Sequence, residues 1–259
     1  MSLLLVGFFA GRFYLQSDTP VNVEIPCSWR SGIRQTVDRS LPDTHYLYSE
    51  QYGWFDTTHF ATGKPNKVLA DVRRAVQRGG GVITIRQLVG SNITGYVAHY
   101  DISPSVTNEE IYPVALGIYL DWSMRFEAWQ AKLPHSLFGP LTSYALEDLP
   151  SQYIGFYASS HNIPIEQVFA CYLGPVQGSE EGPPHFDIQA EGDAGGLPEV
   201  VRLQNKRFTP LVETEVGWRP TKWPKDIQLT PVNSSPQTWR FVSEKTWYLD
   251  YRAYWPTSP

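Results

Sequence analysis

The chain has 259 residues, 42% of them hydrophobic and 18% charged, with a net charge of -5. It is long enough to bury a core of its own, and too apolar and too weakly charged to be a disordered polyelectrolyte. The longest apolar run, residues 3–10, falls short of the ~18 residues a bilayer-spanning helix needs, and an acidic chain lacks the basic footprint that nucleic-acid binding requires. No transmembrane span and no nucleic-acid partner are therefore expected.

The apolar start carries no positive charge. It is either the remnant of a secretion signal whose true start lies upstream or a first strand running on through Phe13, Tyr14 and Leu15. Residues 52–60 read as a short helix closed by Gly63. Pro65 then opens a second helix over 66–78, with Val68, Leu69, Val72 and Val76 on one side and Gly79, Gly80 and Gly81 as its stop. Two β-branched and aromatic runs, 82–86 and 96–100, make a hairpin across residues 91–95. The longest helix is expected over 108–132, capped by Thr107 or Asn108 and ended by Pro134. Two shorter ones follow, 149–160 with Asp148 as N-cap and 164–173 with Gly174 beyond its end.

The pattern changes near Gly174. About half of the chain's prolines fall in its last third, which blocks long helices and interior strands. Residues 178–196 read as an exposed loop. Short strands such as 200–203 and 238–242 follow, on extended arms lying against the helical body through Trp218, Trp223, Trp239, Trp247 and Trp255. The fold class expected is α+β, with the whole chain as a single domain: a helical body over about 50–174 with an inserted β-hairpin, and a proline-rich, β-containing section over 175–259 wrapped on it. Cys27 and Cys171 permit one disulfide. Because Cys171 sits in the apolar run 168–173, it reads as a core thiol instead.

Three segments carry candidate chemistry. Asp56 and His59, three apart on a helical turn, share a face. Glu127 lies on the same stripe as Leu116, Leu120, Ser123 and Met124, so its carboxylate should be buried, and a buried carboxylate needs a cation, a metal or hydrogen-bond donors. Asp121 and Arg125, four apart on another face, make an exposed pair. Asp148 has a structural role as a helix cap, whereas Glu147 just outside it has none. Each residue alone has a bland explanation: a cap, a core histidine, a structural salt bridge. A single shared site satisfies all three segments at once.

Together these segments resemble an uncharacterised bacterial domain family, often envelope-associated. The resemblance rests on Trp54-Phe55-Asp56-x-x-His59, Phe126-Glu127-x-Trp129, and Glu147-Asp148-Leu149-x-Ser151 followed by Ile154-Gly155, and covers about residues 53–156. It implies an extracytoplasmic bacterial protein and an order of motifs, but no reaction. Phe126 stands where that family carries His beside the Glu, which weakens a two-histidine metal site.

The function expected is that of a hydrolase-like enzyme. His59, Glu127 and Glu147 hold one divalent metal, Glu147 and Asp56 serve catalysis, and Asp56 orients the histidine; without a metal, a Glu–His pair acts as acid and base. The rival is a non-catalytic cell-surface binding or structural module. In it the same polar residues fix helix packing, and the C-terminal aromatics meet an envelope or protein partner.

Overall fold

The structure is a computed structural model and describes residues 41–89, 94–130, 145–183 and 208–248. The N-terminal segment with Cys27, the expected strand 200–203 and Trp255 lie outside the described residues.

The fold is α+β. In chain order, strands β1 (Tyr46–Ser49) and β2 (Gly53–Asp56) lead into a 3-10 helix (Thr57–Ala61) and helix α1 (Pro65–Gln77). The hairpin β3 (Gly81–Val89) and β4 (Thr94–Ile102) precedes α2 (Ile111–Gln130) and α3 (Asp148–His161). A short α4 (Ile165–Val168) runs on as a π-helical turn (Phe169–Leu173), followed by β5 (Gln177–Ser179), β6 (Leu211–Thr214), β7 (Gly217–Pro220) and β8 (Trp239–Tyr248). Among the described residues all strand pairing is antiparallel, in sheets of order β2-β1-β5, β3-β4-β8 and β6-β7.

Residues 52–60 are not a helix. Gly53 takes φ 74° in the turn out of β1, and Asp56 is still extended, so helical geometry begins only at Thr57. Asp56 is the cap of that turn. The expected helix 108–132 starts with a 3-10 turn at Asn108–Glu110, where the Glu110 carboxylate accepts the Thr107 N–H, and is α-helical from Ile111. Asp148 is not the cap of α3 but its first helical residue; Glu147 occupies the cap position and makes no capping hydrogen bond. The exposed pair is only half exposed: Arg125 donates to Asp121, Tyr100 donates to the same carboxylate, and the guanidinium lies over the Phe241 ring.

Beyond Gly174 the chain is more strand-like than proline density suggested. Gly178 and Ser179, read as the start of the loop 178–196, belong to β5 and pair with β1, and β8 is ten residues long because the prolines stop short of it. Trp223 and Trp239 are buried, donating to the Phe208 and Val232 carbonyls, so both serve the core rather than a partner. Cys171 corrects the thiol reading. It is disulfide-bonded, and it is half-buried because Phe169 and Leu173 take the core side of the π turn. Among the described residues no helix is long and apolar enough to cross a membrane.

Among the described residues two apolar clusters build the interior. One joins α1, α2 and the β3-β4-β8 sheet around Trp122, Tyr96 and Tyr119; the other joins β1, β2, α3 and the π turn around Phe55, Ile154 and Phe169. Leu120 and Leu229 pack on both. The 3-10 helix sits where the clusters meet. Phe60 is pressed onto α3 at Gly155, Gly63 rests on the Trp122 ring, and the Tyr119 hydroxyl donates to the Thr62 carbonyl at 2.8 Å.

Candidate functional site

This 3-10 helix brings His59 over the first turn of α3. Its Nδ1 lies 2.8 Å from Asp56 Oδ2, and its Nε2 lies 3.6 Å from Asp148 Oδ1. Asp56, His59 and Asp148 each offer a ligand atom within 4.8 Å of the others, the geometry of a group that could hold a metal ion. Asp56 is fixed from several sides. Its Oδ1 accepts the Thr58 N–H and hydroxyl, both at 2.7 Å, and its own N–H donates to Ser151 Oγ at 2.8 Å. Ser151 in turn donates to the Glu147 carbonyl at 2.6 Å, tying the end of β2 to the start of α3. Asp148 Oδ2 accepts the Ala145 N–H at 3.0 Å, which leaves Oδ1 facing the imidazole.

Glu127 is fully buried, as its helical phase required, and accepts from Gln152 Nε2 at 2.8 Å. Glu147 is also buried, and its Oε2 has no hydrogen-bond partner. A buried carboxylate oxygen left unsatisfied is costly in a native interior. The structure thus brings His59 within hydrogen-bonding distance of Asp56 and ion-pair distance of Asp148, and buries Glu127 and Glu147 within electrostatic reach of them.

Charge in this space is unbalanced. Burial works against the His59 imidazolium, but Asp148 and Asp56 outweigh it and push the pKa up to about 10. Asp56 shows the converse: burial would raise it, yet hydrogen bonds from His45, His59 and Thr58 hold it far below the carboxylate range. Glu147 is pushed up to about 7, first by burial and then by repulsion from Asp56 and Glu127. Asp148 is raised too, by burial and by Glu127, Glu147 and Asp56, with only His59 opposing. Asp56, Glu147 and Asp148 therefore compete for too little positive charge, and a divalent cation or bound protons would relieve them.

Solvent reaches the cluster from the imidazole side. The His59 side chain is 17% exposed, and His45, 3.4 Å from Asp56 Oδ2, is 45% exposed. A groove of about 540 Å³ opens nearby between Phe60 and Lys64 on one side and Ser159 and Asn162 on the other, but no carboxylate of the cluster lines it, so the chemistry lies elsewhere.

Sequence reasoning missed Asp148, His45, Ser151 and Gln152 as parts of this cluster. One signal was available. Glu147 and Ser151, and Asp148 and Gln152, are four apart, so the first turn of an otherwise apolar helix carries its polar groups at helical spacing. His45 reaches Asp56 only through strand pairing, which leaves no such mark. Comparison of the chain with protein-family models, with curated proteins and with solved structures gives no match.

Proposed function

We propose that the chain is a metal-dependent hydrolase. The single observation carrying this reading is that Asp56, His59 and Asp148 each offer a ligand atom within 4.8 Å of the others, with the buried, unpartnered Glu147 Oε2 in electrostatic reach of them. His59 and Asp148 hold the ion in this reading. Asp56 keeps the imidazole in one orientation through Nδ1, the carboxylate–histidine arrangement common behind metal ligands. Glu147, with a pKa near neutrality, completes the ligand set or takes the proton from an attacking water. Glu127, engaged by Gln152, contributes negative charge from behind. A divalent ion so held supplies Lewis-acid polarisation of a carbonyl or phosphoryl oxygen and makes water acidic enough to attack at neutral pH. Two carboxylates and one imidazole suit Zn, Mn or Fe.

Metal content of the purified protein before and after chelation, followed by calorimetric titration of the stripped protein with Zn²⁺ and Mn²⁺, tests the first half. Stoichiometric binding lost in His59→Ala and Asp148→Asn is expected, and no binding by the intact protein overturns the reading. Hydrolysis of chromogenic acyl and phosphoryl esters, abolished by chelation and by Glu147→Gln, tests the second half.

An extracytoplasmic location belongs to the same proposal. The disulfide at Cys171 supports it, because such bonds persist mainly in oxidising compartments.

A further inference from the structure

The strand pair that delivers Asp56 to the cluster also sets a row of aromatic rings beside it. Residues directly opposite in an antiparallel pair share a face, and here Tyr46 is opposite Asp56 and Tyr48 opposite Trp54. Leu47 and Phe55 point the other way and are fully buried, whereas Tyr46, Tyr48 and Trp54 are only half-buried. The Tyr48 and Trp54 rings lie 5.0 Å apart, inclined at 49°. Tyr46 stacks on His45 at 4.3 Å, and Gly182 is backed against its ring so closely that a Cβ there would stand 2.8 Å away. Glu147, Asp56 and Asp148 all act on the Tyr46 hydroxyl, which fits a ring reaching the edge of the carboxylate cluster. On the other side of β1, β5 adds Gln177 opposite Tyr48 and Ser179 opposite Tyr46.

This face carries three half-buried aromatic rings, an amide and a hydroxyl, with the buried Asp56 carboxylate at its inner end, and β1, β2 and β5 put no aliphatic side chain on it. That composition discriminates between ligands. A docking helix or apolar peptide needs aliphatic holes for its knobs, and a nucleic acid or other polyanion would be repelled by the carboxylates at the end of the row. A sugar ring offers what suits this face: apolar C–H faces to lie on aromatic rings, and hydroxyls for amide and hydroxyl partners.

We infer that this face is a docking ledge for a glycan chain, laid across Trp54 and Tyr48 towards Tyr46 and Asp56. Glycans are then the substrate class of the adjoining cluster. Only the word substrate rests on the hydrolase reading; the docking does not.

Binding separates the two. The intact protein, with and without chelator, is titrated with chitohexaose and cellohexaose by calorimetry, and sedimented with insoluble peptidoglycan. At least one of these glycans should bind, and Trp54→Ala and Tyr48→Ala should each weaken that binding about tenfold or more, while Trp54→Phe, which keeps a ring, stays within about threefold of wild type. Chelation should leave glycan binding within about twofold. Failure of every glycan to bind, or binding indifferent to Trp54 and Tyr48, overturns the ledge, including capture of a peptide in its place. Absence of metal binding with glycan binding intact overturns the metal reading alone.

Discussion

Gly155 leaves the space into which the backbone of Phe60 is pressed: a Cβ at position 155 would stand 2.0 Å from the Phe60 carbonyl oxygen. Glycine in mid-helix normally costs stability, so here close approach is what it provides. The approach seats His59, one residue earlier, over the first turn of α3. Gly155→Ala must push the 3-10 helix away and is expected to destabilise the protein by about 2–3 kcal/mol. Urea denaturation measures the loss, and a variant as stable as wild type would mean that the 3-10 helix is not held there.

Asp56 touches His59 on the nitrogen that does not face Asp148. Asp56→Asn weakens the hold on the ring and should lower divalent-ion affinity about 10–100-fold without abolishing it, unlike His59→Ala. An amide oxygen at this position still accepts the Thr58 N–H, so the cap should hold and stability should fall by less than about 1 kcal/mol. Calorimetric titration and thermal denaturation read the two effects separately.

Burial pushes the Glu147 carboxyl from its ordinary 4.5 up to about 7. Between those pH values the native state keeps a proton that the unfolded chain has released, so the stability of metal-free protein falls as pH rises through this window and stays low above it. Asp148 is shifted in the same direction. Glu147→Gln keeps the shape without the charge. It should stabilise the stripped protein at pH 8 by about 1–3 kcal/mol and leave it little changed at pH 4. Equal stability of the two proteins at pH 8 would refute the shift, and saturating metal should erase the difference.

Trp223 and Ile227 complete the cluster around Phe55, and β8 covers the free edge of β4. A fragment ending at Gly174 loses all of these, exposing a nine-residue strand edge together with apolar surface. It is expected to be insoluble or to lack a cooperative transition, and calorimetry or, for a soluble product, near-ultraviolet circular dichroism decides.

What was legible in the sequence was local. Pro65 and the Gly79-Gly80-Gly81 stop mark α1, the β-branched runs mark the β3-β4 hairpin, and helical phase places Glu127 inside. The Asp56–His59 contact was legible for a partly wrong reason: the three-residue spacing works on a 3-10 turn capped by Asp56 as well as on an α-helix. Asp148 was misread because an Asp ahead of an apolar run signals a cap; here the helix starts on it, and the Ala145 N–H holds one oxygen while the other turns inward. The third strands β5 and β8 pair across long stretches of chain. Gln177-Gly178-Ser179 has no strand propensity to announce it, so partner and register come from tertiary packing alone.

The arm ahead of β8 is fastened at two points three positions apart. The Leu229 N–H donates to the Tyr153 hydroxyl at 2.7 Å, on α3, and the Val232 N–H donates to the Pro113 carbonyl at 2.9 Å, on α2 beside the gap left by Gly117. One fastening belongs to each apolar cluster, with Leu229 packed on both. The arm therefore works as a cross-brace, pinned to α3 on one side and to α2 on the other, so that loosening either cluster is expected to pull on the other.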